Sequence, residues 1–197
     1  MLLYSYAPIS GEKAPLSHHL DRYLTSAAPK NHAQRHAALT LMSALAARAN
    51  MSADAPVKTD ALGRPFFDAP DAPFFGLSHS GGLAAAAIGD TQVGIDVQVH
   101  DKRLSVQKLA ARWFSEEEQQ ALADAEYAAD TFFELWTKKE ALGKYLGVGL
   151  APLVKKDTLA LAREHGVSFE TTAFDFGGER YTLTVCSKER PTLVFKS

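Results

Sequence analysis

The spacing of apolar residues predicts a chain of mixed helices and strands. Short apolar runs bounded by turn residues predict strands over residues 2–7, 74–78, 83–89 and 92–97, and again over 159–162, 167–173, 181–186 and 192–195. Apolar residues at helical spacing predict helices over 16–28, 33–49, 105–114, 115–129 and 131–146. Proline and glycine punctuate residues 51–73, which we expect to be mostly loop with one short strand.

Two pairs of these strands resemble each other. The strands over 83–88 and 93–97 are joined by Gly89-Asp90-Thr91, which is typical of a hairpin, and a polar turn joins those over 181–186 and 192–195. Each pair follows a helical segment. The pattern therefore predicts two similar α+β halves that meet near residue 100.

The helix over 131–146 carries polar residues beside its apolar stripe. Ser115 with Glu118, and Thr131 with Glu134, have the spacing of capping boxes that open the last two helices. On the second helix, Leu135, Leu142 and Leu146 form the predicted core face. The adjoining stripe consists of Trp136, Lys139, Glu140, Gly143, Lys144 and Gly147. Glycines weaken a helix, so we expect another group to approach the backbone there. The alternative is an ordinary surface pair of Glu140 and Lys144.

An acidic residue interrupts the apolar strand over 92–97. Alternation places Gly94, Asp96 and Gln98 on one face of this strand and the apolar residues on the other. An unpaired buried carboxylate is costly, so a cation or a hydrogen-bond donor is expected opposite Asp96. The alternative is an Asp at a solvated strand end.

Small polar residues and basic residues in the first hundred positions suit phosphate groups. The segment Ser78-His79-Ser80-Gly81 can present backbone N–H groups and an imidazole to an anion, although a plain turn has the same composition. Positive charge comes from Arg64 and from the basic cluster Lys30, His32, Arg35 and His36. Clusters of this size are also typical of solvated faces.

Composition narrows the class of protein. The 197 residues are 46% hydrophobic and 22% charged, which excludes disordered, collagen-like and rod-like chains. A net charge of -2 argues against a protein that coats nucleic acid or an anionic membrane. One cysteine, Cys186, forms no internal disulfide, and no apolar run reaches the roughly 18 residues of a membrane span. We expect a cytoplasmic protein without nucleic-acid or membrane partners.

Taken in order, five stretches resemble the 4'-phosphopantetheinyl transferase superfamily, in its single-chain, two-half subgroup that includes surfactin synthetase-activating enzymes. They are Gly63-Arg64-Pro65, Leu77-Ser78-His79-Ser80-Gly81, Gly94-Ile95-Asp96-Val97, Trp113-Phe114-Ser115 with Glu118, and Trp136-Thr137-Lys138-Lys139-Glu140-Ala141 with Lys144, Gly147 and Gly149. The resemblance covers roughly residues 63–150.

The resemblance implies an α+β fold of two similar halves, 1–100 and 101–197, related by a pseudo-twofold axis, each with a small antiparallel sheet packed with helices. It also implies an enzyme of the holo-[acyl-carrier-protein] synthase type. Such an enzyme transfers the 4'-phosphopantetheine arm of coenzyme A to a serine of an apo acyl or peptidyl carrier protein and releases adenosine 3',5'-bisphosphate. Carriers of fatty acid, polyketide and nonribosomal peptide synthesis are all candidate acceptors.

Site residues follow from the same resemblance. Asp96 and Glu140 would bind Mg2+, with Mn2+ as an alternative, and Glu140 would also act as the base for the serine proton or orient that base. Lys144 would stabilise or protonate the leaving phosphate, Ser78 and His79 would hold coenzyme A phosphates, and the 3'-phosphate would meet Arg64 and Arg35. Glu118 would be a capping-box residue, an acid near the metal that supports its direct ligands, or both.

This chain departs from the family pattern at Gln98, where many relatives carry an acid. Gln98 can bind a metal through its amide oxygen or through water, but it brings no charge. A non-catalytic module that binds coenzyme A or a carrier protein is therefore an alternative, and a metal-dependent pyrophosphate hydrolase is another. We expect a monomer whose carrier-protein surface lies over residues 102–112, where Lys102, Arg103, Lys108 and Arg112 accompany apolar residues.

Overall fold

The computed structural model describes residues 1–9, 14–26 and 31–196. Within these ranges nine strands and six α-helices follow one another, and a short 3-10 helix, Ala151–Leu153, precedes the last of the helices. The elements are β1 (Leu2–Pro8), α1 (His18–Ser26), α2 (His32–Arg48), β2 (Val57–Thr59), β3 (Pro65–Phe67), β4 (Phe74–Ser80), β5 (Leu83–Gly89), β6 (Val93–Val99), α3 (Val106–Trp113), α4 (Glu116–Asp124), α5 (Ala129–Leu146), α6 (Thr158–Glu164), β7 (Ser168–Phe176), β8 (Glu179–Ser187) and β9 (Thr192–Lys196).

Two sheets stack face to face at the centre of the molecule. The first sheet has the strand order β4-β5-β1-β9 and the second has the order β6-β8-β7, while β2 and β3 form a separate ribbon. Alternate residues of each sheet, such as Tyr4 and Leu83 from the first and Ile95 and Leu183 from the second, are buried between them. This shared apolar layer holds the two sheets together.

A helical layer covers the outer face of each sheet. Leu39, Met42 and Leu45 of α2 pack on the first sheet against Phe75 and Ile88. On the second sheet, α5 packs across β6 and β8. The predicted mixed α+β class is therefore confirmed as four layers, helix, sheet, sheet and helix.

Both predicted hairpins are wrong. β5 pairs with β1 and β4, and β8 pairs with β6 and β7, so both edges of each strand are already occupied. The strand that follows each of them, β6 after β5 and β9 after β8, therefore has no free edge to pair with and crosses to the opposite sheet. β6 enters the second sheet, and β9 returns to the first, where it runs parallel to β1. The first sheet is thus not purely antiparallel. The pseudo-twofold relation and the division at residue 100 stay predictions.

Two local predictions also change. Residues 159–162 belong to α6 rather than to a strand, because the Asp157 side chain accepts hydrogen bonds from the N–H groups of Leu159 and Ala160 and so caps a helix. The Thr131–Glu134 capping box does not form, since α5 already begins at Ala129. The Ser115–Glu118 capping box is confirmed. Part of the helix predicted over 16–28 lies outside the described residues, as does Lys30.

Serine hydroxyls join the two sheets along one side, where β4 and β6 run next to each other as edge strands. The N–H of Val97 donates to the Ser78 hydroxyl at 3.1 Å, and the N–H of Val99 donates to the Ser80 hydroxyl at 3.1 Å. Edge strands carry backbone donors that need partners, and here side chains supply them. We call this line of contact the β4–β6 seam.

Candidate active site

Gly94 lets α5 approach β6 closely enough to bring their polar side chains together. A Cβ atom at position 94 would lie 2.0 Å from the carbonyl oxygen of Ala141 and 2.6 Å from the backbone nitrogen of Tyr145. Only glycine tolerates such contact with backbone atoms. Asp96 lies two residues along the same face of β6, and Glu140 and Lys144 flank the contact on α5. The close approach predicted at the α5 glycines is also confirmed, because the carbonyl oxygen of Gly149 lies against Gly143 and the Arg64 guanidinium lies against Gly147.

Replacing Gly94 with alanine is expected to destabilise the protein by about 3 kcal/mol, at the upper end of overpacking costs, because the contact is with rigid backbone. Urea unfolding of the purified variant measures this. Gly82→Ala is the matched control, since its added Cβ would have the Tyr181 hydroxyl as its nearest neighbour, at 3.8 Å. Equal midpoints for the two variants would contradict the proposed contact.

Asp96 is buried at the β4–β6 seam, with only 5% of its surface exposed. Its Oδ1 atom accepts hydrogen bonds from the Ser78 hydroxyl and from the Lys144 ammonium, both at 2.8 Å. Its Oδ2 atom is also buried but finds no hydrogen-bond partner among the described residues. The cation expected opposite Asp96 is therefore Lys144, and one carboxylate oxygen is left for a further cation or donor.

Glu140 lies on the same side of α5, one turn before Lys144, and is half-buried. Burial raises the pKa of its carboxyl, the Asp96 carboxylate raises it further, and the Lys144 ammonium opposes the shift. Two carboxylates thus share a partly dry environment with one ammonium group. This arrangement favours binding of an additional cation.

The residues predicted to meet phosphate gather on β4 and α2. Burial lowers the pKa of His79, the cations Lys144 and Arg35 lower it further, and Asp96 opposes them, so these four groups share one region. The imidazole therefore lies among cations that an anion would neutralise.

Ser78 is engaged by the protein itself. Its hydroxyl donates to Asp96 and accepts from the Lys144 ammonium at 3.0 Å and from the Val97 N–H. One donor and two acceptor positions are all that a hydroxyl offers. The Ser78 side chain therefore positions Asp96 and Lys144, and its predicted contact with a phosphate stays a prediction.

Arg64 contacts the end of α5 rather than the β4–β6 seam. Its guanidinium binds Asp60 at 3.1 Å and donates to the carbonyl of Tyr145 at 3.4 Å. It also lies against Gly147, where a Cβ atom would be 2.8 Å from the guanidinium carbon. A cavity of about 250 Å³ runs from Arg64 to Lys144. Arg64 therefore faces the same cavity as Lys144, and its predicted role at the 3'-phosphate stays a prediction.

Gln98 follows Asp96 on the same face of β6 and is half-buried. Its amide nitrogen donates weakly to the carbonyl of Val99, at 3.4 Å. In the described part of the chain, no group of three or more His, Cys, Asp or Glu side chains is placed to hold a metal ion. Asp96 and Glu140 are thus two acidic residues near Lys144, and the binding of a metal by Asp96, Glu140 and Gln98 stays a prediction.

Lys139 departs from the sequence prediction, which placed it on the polar stripe with Glu140 and Lys144. Its side chain is fully buried, and its ammonium forms an ion pair with Glu118 at 2.9 Å and donates to the carbonyls of Leu153 and Lys156. Glu118 also accepts from the backbone N–H of Ser115. Lys139 thus ties α5 to α4 and to the segment before α6, on a different side from Asp96.

The predicted carrier-protein surface is exposed. Lys102, Arg103, Lys108 and Arg112 are all exposed at the start of α3 and along it. Arg103 is held by Asp101 at 2.8 Å, and Arg112 lies over the ring of Trp113.

Among the helices that the structure describes, none has the length and apolar character needed to cross a membrane.

Comparisons with known proteins show which family this chain resembles. Residues 92–189 match the model of the 4'-phosphopantetheinyl transferase superfamily. The matched range contains Asp96, Glu140 and Lys144, and it excludes Arg35, Arg64 and His79.

Three relatives carry the same enzyme name. The 4'-phosphopantetheinyl transferase Sfp of Bacillus subtilis is 33% identical over 120 residues, which cover 59% of this chain and 52% of the relative. The 4'-phosphopantetheinyl transferase psf-1 of Bacillus pumilus is 34% identical over 109 residues, covering 54% and 46%. The 4'-phosphopantetheinyl transferase AcpT of Salmonella typhi is 33% identical over 99 residues, covering 49% and 52%. The chain spans about half the length of these curated relatives.

Proposed function

Because this chain belongs to the 4'-phosphopantetheinyl transferase superfamily, we propose that it transfers the phosphopantetheine arm of coenzyme A to a serine of an apo carrier protein. The observation that carries the proposal is the cluster of the buried Asp96 with the half-buried Glu140 and Lys144, in which one Asp96 oxygen has no partner in the described chain. The names of the relatives favour a likeness to Sfp over the holo-[acyl-carrier-protein] synthase type.

Asp96 and Glu140 would hold a divalent cation, for which Mg2+ is the natural choice. The fit rests on the unpartnered Asp96 oxygen and on a donor set of carboxylates, since Mg2+ is usually held by one or two carboxylates together with phosphate oxygens and water. The cation would supply charge neutralisation at the pyrophosphate. Gln98 would contribute a neutral oxygen at most, either directly or through water.

The remaining chemistry belongs to side chains of this chain. The carrier serine oxygen forms a bond to the β-phosphorus, the bond from that phosphorus to the bridging oxygen breaks, and adenosine 3',5'-bisphosphate leaves. Glu140 accepts the serine proton, and burial together with the Asp96 carboxylate raises the pKa of its carboxyl, which makes the carboxylate a stronger base. Lys144 stabilises the negative charge that grows on the leaving phosphate.

His79, Arg35 and Arg64 would orient coenzyme A. His79 and Arg35 lie together on the β4 side of the site and offer donors and positive charge to phosphate groups. Arg64 faces the cavity on the other side of Lys144. The carrier would dock through the exposed basic residues around α3, next to β6, because such a surface is complementary to an acidic helical partner.

Mass spectrometry of an apo carrier protein tests the proposed function. The carrier is incubated with this protein, coenzyme A and Mg2+, and we expect its mass to increase by one phosphopantetheinyl group. Coenzyme A that stays intact while bound, with no gain on any acyl or peptidyl carrier, would instead indicate a binding module. Free phosphopantetheine formed without a carrier would indicate a pyrophosphate hydrolase. We also propose that the protein is cytoplasmic and monomeric. Sedimentation of the purified protein measures its oligomeric state.

Restoring an acid at position 98 is expected to strengthen cation binding. In Gln98→Glu, a third carboxylate adds charge to the site, and the Mg2+ concentration for half-maximal transfer should fall by on the order of tenfold. Activity against Mg2+ concentration measures this, and the same titration with Mn2+ shows whether the preference changes. Gln120→Glu adds the same charge at an exposed position on α4 and serves as the control. An unchanged metal dependence in Gln98→Glu would rule out a role for position 98.

A further inference from the structure

Lys144 makes its closest contacts with the residue that is proposed to bind the cation. Its ammonium lies 2.8 Å from Asp96 Oδ1 and 3.0 Å from the Ser78 hydroxyl, with the carbonyl of Leu77 at 3.5 Å. All three partners are oxygens, which is also the ligand type that Mg2+ and Mn2+ prefer. The Lys144 ammonium therefore neutralises the Asp96 carboxylate, which is the role that a bound divalent cation would have there.

The two cations would repel each other at this carboxylate. The free oxygen, Asp96 Oδ2, belongs to the same carboxylate that Lys144 holds through Oδ1. Asp96 is nine-tenths buried, so water screens the repulsion between neighbouring charges poorly. Simultaneous contact of both cations with this side chain is therefore unfavourable.

Lys144 has room and freedom to leave Asp96. About a third of its side chain is exposed, whereas only 8% of the Asp96 side chain is. The cavity of about 250 Å³ beside it is lined on the α5 side by Gly143, Gly147 and Gly149, which carry no side chains, and Arg64 lines it as well. A lysine has a flexible four-carbon stem, so its ammonium can move several ångströms while the helix stays in place.

We propose that Lys144 and a divalent cation compete for Asp96, so that cation binding releases the Lys144 ammonium into the adjacent cavity, where it meets a phosphate of the substrate. The proposal rests on the proposed function for the placement of the cation on Asp96 and Glu140. It adds that the Lys144 ammonium has two positions, one at Asp96 and one in the adjacent cavity, and that cation binding determines which of the two it occupies.

Competition for Asp96 predicts a change in Mn2+ affinity when Lys144 is replaced, whereas a lysine that only binds phosphate predicts none. Lys144→Met removes the competing charge, so the variant should bind Mn2+ about tenfold more tightly than the unsubstituted protein when neither coenzyme A nor carrier is present. A lysine that only contacts phosphate would leave the Mn2+ affinity unchanged. Isothermal titration calorimetry, together with the spin-resonance signal of free Mn2+, measures the affinity without any transfer reaction.

Two control variants separate this proposal from the proposed function. Lys138→Met removes another lysine of α5, one that pairs with Glu134 rather than with Asp96, and its Mn2+ affinity should match that of the unsubstituted protein. Asp96→Asn should lose Mn2+ binding. If Asp96→Asn binds Mn2+ as well as the unsubstituted protein does, the cation site of the proposed function is wrong. If only the gain in Lys144→Met is missing, the competition is wrong and the cation site stands.

Release of the ammonium can be observed directly. Acetylation of lysines with a limiting reagent, read by peptide mass spectrometry, should label Lys144 severalfold faster when Mn2+ is added, because the ammonium leaves Asp96 and Ser78. Lys138 is the internal reference, since its labelling should not depend on the cation. A Lys144 labelling rate that is the same with and without Mn2+, at concentrations where calorimetry shows binding, would overturn the proposal.

Discussion

Replacing Glu140 with glutamine is expected to lower the rate of phosphopantetheine transfer by about a hundredfold to ten-thousandfold, the range associated with loss of a general base. Glutamine keeps the shape of the side chain but cannot accept the serine proton, and it also removes one charge from the cation site. Asp96→Asn should cause a loss of similar size. Single-turnover transfer to an apo carrier, followed by mass spectrometry, measures both rates.

Glu134→Gln is the matched control for Glu140→Gln, because Glu134 is an exposed glutamate on the same helix that pairs only with Lys138 among the ion pairs of the described chain. Its transfer rate should stay within about twofold of that of the unsubstituted protein, as expected for a surface pair of small energy. Near-normal transfer by Glu140→Gln or by Asp96→Asn would show that the assignment of these carboxylates is wrong.

The stability of Glu140→Gln separates loss of function from loss of fold. Burial, and then Asp96, raise the pKa of Glu140, so the folded state keeps this proton to a higher pH than the unfolded chain does. The stabilisation is complete below the unfolded pKa and is lost as the pH rises through the folded pKa. Glutamine does not titrate, so the free energy of unfolding of the variant should exceed that of the unsubstituted protein increasingly from acidic to neutral pH. Urea unfolding across this range measures the difference, and a difference independent of pH contradicts it.

The second large effect is expected on stability, at Lys139. Burial lowers the pKa of the Lys139 ammonium, and its hydrogen bond to Glu118 opposes that shift. Lys139→Met leaves the buried Glu118 carboxylate without its counterion, which should cost about 3–5 kcal/mol of unfolding free energy. The Ser115 N–H and the hydroxyl and N–H of Thr158 still donate to Glu118, but they do not replace the charge.

Lys138→Met tests whether the loss is specific to the buried pair. The two lysines are adjacent in sequence, but Lys138 is only partly buried and pairs with the exposed Glu134, so Lys138→Met should change the unfolding free energy by no more than about 1 kcal/mol. The double variant Lys139→Met with Glu118→Gln removes both charges and should recover part of the loss. If Lys139→Met unfolds at the same urea concentration as Lys138→Met, the buried pair contributes nothing to stability.

The polar residues of the site could be predicted from the sequence, but the distance between the strand and the helix that carry them could not. Strand alternation identified Asp96 as a buried acid in need of a cation, and helical spacing placed Glu140 and Lys144 on one side of α5. Neither pattern contains the distance between β6 and α5. That distance depends on Gly94, whose missing Cβ is informative only once the Ala141 backbone is known to lie over it.

Burial of Lys139 could not be predicted from the pattern of α5 alone. Helical spacing gives the direction in which a side chain points, but not which element covers it. The Glu118 carboxylate arrives from α4 and the acceptor carbonyls from the segment before α6, so the environment of Lys139 is made by distant parts of the chain. The capping box at Ser115 formed as its spacing predicted, whereas Thr131 and Glu134 have the same spacing and form none, because α5 already begins at Ala129.

The two failed hairpins have a single physical cause. A turn signal such as Gly89-Asp90-Thr91 reports that the chain can reverse, but it does not report whether the preceding strand has an edge free. β5 and β8 are both inner strands: one edge of each is taken by the strand just before it, β4 or β7, and the other by a strand distant in sequence, β1 or β6. Local pattern therefore identified the strands, while pairing was decided by competition for edges.

The return of β9 to the first sheet has a consequence for how the protein acquires its structure. β1 lies between β5 and β9, so one of its edges is filled by residues that leave the ribosome more than 180 positions later. Contacts of such large sequence separation carry a high loop-closure entropy, and they slow folding. During synthesis the first sheet therefore has an open edge beside β1 until β9 emerges. The first sheet can therefore be completed only after translation has passed β9.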